Sequence, residues 1–225
     1  MGFVVAVDGT AGSGKGSVTK VVAEKLNLVT IDTGAMYRSV TLAILEQNVA
    51  LEEIDKIEDI LKGIKIEFVD DGDNKKVFLN GKDVTLKIRS KEVNELVSPV
   101  STIKIIREHL ANMQREMAKS IDVIMEGRDI GTNVFPNADV KIYLDATPEE
   151  RAMRRFRQNE ENGIEIPFEE ILKNVKERDY IDSHREIAPL TKAPDAVYID
   201  STGMTIEEEA EAVMKVIKEK QKGMK

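Results

Sequence analysis

Four short apolar runs punctuate the chain: Phe3–Val7, Ile121–Met125, Val140–Leu144 and Ala196–Ile199. Each is rich in β-branched residues and bounded by charges or turn formers, the pattern of strands buried in a parallel sheet. Helical periodicity fills Lys15–Leu26, Ala35–Asn48, Thr102–Ala118, Pro148–Asn159, Phe168–Ser183 and Thr205–Lys222. This alternation predicts an α/β fold wound on both faces of a parallel sheet. No internal repeat or low-complexity linker interrupts it. One stretch changes period. Ile64–Phe68 and Lys76–Leu79 alternate apolar and polar residues, and Asn80-Gly81 is a strong hairpin-turn dipeptide. An antiparallel patch over about 63–90 is therefore expected as an insertion.

Composition narrows the function classes. The 225 residues carry no Cys and only two His, His109 and His184. A disulfide framework, a Cys-ligated metal site and a His-rich zinc site are excluded or disfavoured. The formal charge of -8 argues against a nucleic-acid coat. No apolar run approaches the ~20 residues of a membrane span, and the start meets a charge at Asp8, so neither a membrane protein nor a signal peptide is expected. A cytoplasmic location follows as the expectation. Of 11 arginines, seven lie between Arg128 and Arg185. Arginine offers a bidentate fork for phosphate, so a small anionic ligand fits an acidic protein with this local concentration.

The first strand runs into Gly9-Thr10-Ala11-Gly12-Ser13-Gly14-Lys15-Gly16-Ser17, which opens the first helix. This is the G-x-x-x-x-G-K core of a P-loop in its strand–loop–helix context. Its glycines let backbone N–H groups turn towards phosphate oxygens, and the helix N-terminus adds its positive end. Lys15 supplies a mobile charge. Gly16 stands where a Mg²⁺-binding hydroxyl is usual, which leaves Ser17 as the candidate, directly or through water.

Two further segments lie at expected strand ends. In Asp32-Thr33-Gly34-Ala35-Met36-Tyr37-Arg38, Asp32 or Thr33 can cap a helix, while Arg38 one turn on can reach back to an anion. Both readings stand on this heptapeptide. Glu126-Gly127-Arg128-Asp129-Ile130-Gly131-Thr132 follows the Ile121–Met125 strand. Ligands in open α/β sheets bind beyond the carboxyl ends of strands, which makes this charged rim a candidate site. Arg178, Asp182 and Arg185 recur at i, i+4 and i+7, one helix face. Arg151, Arg154 and Arg155 also share a face, with Arg157 near its edge, ahead of a turn or hinge at Asn162-Gly163.

These residues together resemble the CMP kinase branch of the P-loop nucleoside monophosphate kinases, the bacterial cytidylate kinases, over about residues 3–220. The resemblance rests on the G-K-G-S loop, on Asp32–Arg38, and on Gly127-Arg128-Asp129-Ile130-Gly131-Thr132. It extends through Phe135-Pro136, Tyr143-Leu144-Asp145-Ala146, Lys176-Glu177-Arg178-Asp179 and Arg185-Glu186-Ile187-Ala188-Pro189-Leu190. It implies an ATP-dependent, Mg²⁺-assisted phosphorylation of CMP and dCMP by direct transfer, without a covalent phosphoenzyme. The implied core is 1–34 and 100–225, with a helical lid at about 150–166. Residues 35–99 would form the monophosphate-binding insertion, and the protein would be a monomer.

The resemblance also implies roles. Residues 9–17 would hold ATP. Arg38, Arg128 and Arg185 would hold the acceptor phosphate. Ser98, Arg107 and Asp129 would read cytosine, and Arg178 and Asp182 the sugar. Thr33 stands where the family often has Ser, and Glu126 where it often has Asp. The lid would contribute Arg151, Arg154, Arg155 and Arg157, with Lys15, Arg128, Asp129 and Arg155 closest to the chemistry. Ser98 has a rival reading as an N-cap ahead of a first-turn Pro99. The alternatives are a kinase for UMP or AMP, or a P-loop GTPase-type switch. The switch would need an Asn-Lys-x-Asp, and Asn74-Lys75-Lys76-Val77 lacks the Asp.

Overall fold

The computed structural model describes residues 2–70, 75–161 and 163–223 and resolves into two compact units, Met1–Ile31 with Met117–Lys225, and Asp32–Glu116. The first is built on a five-stranded sheet of order β2-β6-β1-β7-β8. Its strands are β1 (Val4–Asp8), β2 (Val29–Asp32), β6 (Val123–Gly127), β7 (Val140–Asp145) and β8 (Val197–Asp200). β1 lies parallel between β6 and β7, with Asp8 opposite Gly127 on one side and Tyr143 on the other. Every residue of β1 is buried, as a central strand covered on both faces requires.

The helices α1 (Lys15–Leu26) and α8 (Ile206–Gly223) pack on one sheet face. Val18 and Val22 of α1, and Val213 and Ile217 of α8, interleave with Val5, Val7, Ile124, Ile142 and Leu144. Burial of this apolar surface fixes the end of β1 and the start of α1, and hence the loop joining them. A satellite core of Ala152, Ile171 and Val175, with Phe156 and Phe168, joins α6 (Pro148–Glu161) to α7 (Phe168–His184).

The second unit contains α2 (Thr33–Glu46), α3 (Ile54–Lys62), α4 (Lys91–Val100), α5 (Lys104–Met117, to Glu116) and an antiparallel sheet of β3 (Ile66–Asp70), β4 (Lys75–Leu79) and β5 (Lys82–Asp83). The expected insertion, 35–99, falls wholly inside it. The Asn80-Gly81 turn joins β4 to β5 with φ of 49° and 78°, the positive values that a two-residue hairpin turn needs. The helices α3 and α4 were not anticipated. Both are short and set among charges, yet Val93, Val97 and Val100 do recur at i, i+4 and i+7, and all three are buried. Among the described residues, no helix is long and apolar enough to cross a membrane.

A candidate phosphate-binding loop and a paired arginine cluster

The loop after β1 is shaped by its backbone geometry. Gly14 caps α1 in the left-handed region, at φ 89°, and a Cβ there would lie 2.8 Å from the Glu209 carboxylate. Lys15 is buried, with Nζ donating to the carbonyls of Gly9 (2.9 Å) and Thr10 (2.5 Å) and to Ser13 Oγ (3.1 Å). Burial, reinforced by the like charge of Arg128, pulls its pKa down to about 7, against the pull of Glu126 and Asp8. Thr10 Oγ1 donates to Asp145 at the end of β7, and the Ala11 carbonyl accepts from Arg151. Gly12 and Gly16 are exposed, as is Ser17. The Glu126 carboxylate stands 3.1 Å from where a Cβ on Gly16 would lie, a close approach.

The segment after β6 works through side chains. Arg128 Nε donates to Asp182 Oδ2 at 2.8 Å, and Arg128 Nη1 to the Gly127 carbonyl. Arg185 Nη2 meets Asp129 Oδ1 at 3.3 Å, and Arg185 Nη1 lies 3.9 Å from Asp182 Oδ1. The other Asp129 oxygen accepts from Asn133 Nδ2 at 2.9 Å. Asp129, Asp182 and Arg185 are all buried. Burial alone would raise the Asp182 pKa, but Arg128, Arg178 and Arg185 outweigh it and hold the carboxyl below the usual range. Arg178, half-buried, therefore belongs to this cluster electrostatically. Arg185 is the residue that ends α7, with extended ψ of 145°, rather than a member of the helix face; its guanidinium still turns back to Asp182, and its Nε and Nη2 hold the Ala188 carbonyl.

Asp8 was not anticipated as a site residue. It accepts from the Ile130 and Gly131 amides, each at 2.7 Å, and so ties the start of the P-loop to the segment just past Asp129. Burial raises its pKa to about 6, although those two amides oppose the rise. A charge placed directly between a buried strand and Gly9 was the available signal. Past Asp129 the backbone widens into a π-type turn over Ile130–Val134, with Val134 N bonded to the Asp129 carbonyl.

On α6 the expected lid arginines divide. Arg151 and Arg154 are engaged at the base of the helix. Arg151 forms a fork with Asp179 at 3.0 and 2.6 Å. Arg154 pairs with Glu150 and Glu209 and donates to the carbonyls of Ser201 and Met204. Arg155 and Arg157 are exposed. Asn162 lies outside the described residues. Gly163, at φ 69°, ends the helix, and Ile164 N bonds back to the Asn159 carbonyl at 2.8 Å.

In the second unit, Asp32 is the N-cap of α2, its Oδ1 accepting from Ala35 N at 2.8 Å, and its Oδ2 pairs with Arg38 at 3.3 Å. The capping and anion-reaching readings of this segment thus meet on one carboxylate. Thr33 is the buried first residue of α2. Arg107, on α5, is buried, donates to the Ser101 carbonyl at 3.0 Å and lies 5.6 Å from the centre of the Tyr37 ring. The N-cap reading of Ser98 is overturned. Ser98 sits in the last turn of α4 with Pro99 after it, and Ser90 is the cap, its Oγ accepting from Val93 N. Pro99 lies one residue from the end of α4, so its missing N–H costs the helix a bond only in the last turn.

The cytidylate kinase family model matches residues 5–219. A cytidylate kinase of Fusobacterium nucleatum is 49% identical over 96% of this chain and 97% of its own length. The cytidylate kinase of Bacillus subtilis is 43% identical over 96% of each. Among solved structures, a protein from Eubacterium ventriosum superimposes with a TM-score of 0.53 at 11% identity, over 96% of this chain and 98% of its own, a likeness of fold. With a family model covering nearly every residue from β1 to α8, and relatives matched along almost their whole length, the chain belongs to the cytidylate kinase family.

Proposed function

We propose that the chain transfers the γ-phosphoryl group of ATP to CMP or dCMP, giving ADP and CDP or dCDP. The observation that carries this reading is the largely buried Arg128–Asp182–Arg185–Asp129 cluster standing in the same unit as the P-loop. Phosphoryl transfer asks a protein for alignment and charge stabilisation and for little covalent chemistry. The two features divide that task.

Residues 9–17 take the ATP phosphates. Lys15 exchanges its neutral partners, the carbonyls of Gly9 and Thr10, for charged phosphate oxygens, which make stronger charge-assisted bonds. The family resemblance assigns Arg38, Arg128 and Arg185 to the acceptor phosphate, Ser98, Arg107 and Asp129 to the cytosine, and Arg178 and Asp182 to the sugar. Asp129, whose carboxylate accepts from Arg185 and Asn133, meets the cytosine amine as an acceptor. Arg155 and Arg157 bring the lid's charge to the transferring group, while Arg151 and Arg154 fix the base of that helix. Closure over the phosphates excludes water and suppresses hydrolysis.

The residues present fit Mg²⁺. Among the described residues there is no group of three or more His, Cys, Asp or Glu placed to cage a metal. There is one carboxylate, Glu126, beside Gly16, and one exposed hydroxyl, Ser17. Mg²⁺ keeps several waters and is commonly bound through one or two carboxylates plus substrate phosphates, and this donor set suits that habit. Bound there, it would offset negative charge on the nucleotide phosphates.

The reading is tested by following ADP and nucleoside diphosphate formation with CMP, UMP, AMP or no acceptor. CMP-dependent ADP release with matching CDP is expected. ADP release that is indifferent to CMP, or faster with AMP, would overturn it.

A further inference from the structure

We propose that Arg151 and Asp179 are positioning residues that couple the ATP loop to the acceptor helix, so that filling one site tightens the other. The inference rests on the assignment of ATP to residues 9–17 and of CMP to the α7 cluster. Arg151 is 2% exposed, and its guanidinium donates to three different segments. Nε donates to the Ala146 carbonyl at 2.9 Å, at the end of β7. Nη1 donates to the Ala11 carbonyl of the P-loop at 3.0 Å. Nη1 and Nη2 fork onto the two Asp179 oxygens of α7.

Each contact has a directional consequence. A trans peptide is planar, with its C=O and N–H on opposite sides. Holding the Ala11 carbonyl from α6 therefore fixes the Gly12 N–H on the opposite side of that peptide, facing away from Arg151. At the other end, Asp179 directly follows Arg178 and precedes Asp182 by three positions, about one helical turn. A rigid fork on Asp179 thus sets the rotation and height of the helix that carries the acceptor cluster. Planar guanidinium geometry makes this a strut, whereas the ammonium of a lysine is a point charge on a flexible stem.

The test measures half-saturation for ATP at low and at saturating CMP, and the converse, in the intact chain and in Arg151→Lys and Asp179→Asn. In the intact chain each substrate should sharpen the other about fivefold or more, the lower end of usual coupling between sites. In both variants that factor should fall to about one, while each substrate alone still saturates. A role in fold stability alone would lower the melting temperature and leave the factor unchanged, which would overturn the proposal. So would a factor of one in the intact chain. If CMP is not phosphorylated at all, the functional reading fails first, and the assay shows it in the intact chain. Should either variant fail to fold, hydrogen exchange in the intact chain still decides. CMP alone should slow amide exchange across residues 9–17, and unchanged exchange there would overturn the coupling.

Discussion

On the proposed function, the donor and acceptor sides of the first unit bind phosphate by different means. The P-loop is one contiguous stretch whose binding groups are backbone amides, held open by Gly14 at φ 89° and braced from outside by Asp145 and Arg151. The acceptor cluster draws Arg128, Asp129, Asp182 and Arg185 from segments up to 57 residues apart in numbering, and every one of them is already ion-paired. A backbone cradle is fixed once the chain turns. A side-chain cluster must be held by partners, and burying an arginine without a carboxylate costs several kcal/mol. The acceptor side is therefore the one where a single substitution exposes a chain of dependencies.

The largest expected effect lies on the donor side. Lys15→Ala should lower kcat by ~10²–10³, the usual loss when a preorganised electrostatic donor is removed. A folded variant with near-native turnover would break the P-loop half of the comparison. Next comes Arg185→Ala, which removes a charged partner from Asp129 and Asp182 together. Hydrogen bonds to charged groups are worth ~1.5–3 kcal/mol, so kcat/KM for CMP should fall ~10–10²-fold. KM for ATP should stay within about twofold. Loss of ATP binding with CMP binding intact would move Arg185 to the donor side.

A smaller effect sharpens the same contrast through pH. Lys15 is pulled down to about 7 in the free protein by burial and by Arg128. Its charge is present below that value and lost above it, so kcat/KM for ATP should decline by up to about tenfold per unit above pH 7. Because kcat/KM reports the free protein and kcat the bound complex, kcat should decline less once phosphate stabilises the ammonium. A kcat/KM flat from pH 6 to 9 would contradict this. The smallest effect is structural. Ser90→Ala removes the α4 cap and should cost ~1 kcal/mol of stability, read by denaturant unfolding, with only a slight change in KM for CMP. A large KM change would show that α4 transmits cap order to Ser98.

The difference between the sites also explains what could be read from the chain. The P-loop and the strands flanking it were legible because their signal is local: Gly9–Ser17 is a motif, and Phe3–Val7 is an apolar run that β1 matches within one residue at each end. Arg128 and Asp129 were legible as charges at a strand end. Their pairing with Asp182 and Arg185 was not, because no local rule brings residue 128 to residue 182. The resemblance named these residues, and the geometry supplied their partners. Asp8, Asp145 and Asp179 act by holding backbone amides, a hydroxyl and an arginine from far along the chain, and sequence periodicity is blind to that. The Ser98 reading failed for a related reason: Pro99 is a start signal only if nothing upstream has begun a helix.

The central claim is that a buried carboxylate, not the resemblance alone, makes the acceptor site a cytosine site. It is tested most directly by kcat/KM for CMP against UMP in the intact chain and in Asp129→Ala. Cytosine offers its N4 amine to Asp129 and its N3 and O2 acceptors to Arg107, while uracil puts an O4 acceptor in place of the amine and an N3–H donor in place of the N3 acceptor, with O2 unchanged. Each mismatch costs ~1–3 kcal/mol, so the intact chain should prefer CMP by ~10² or more. Asp129→Ala should lose more activity on CMP than on UMP and narrow that ratio about tenfold. An intact-chain ratio near one, or a ratio unchanged in a folded and active Asp129→Ala protein, would contradict the account.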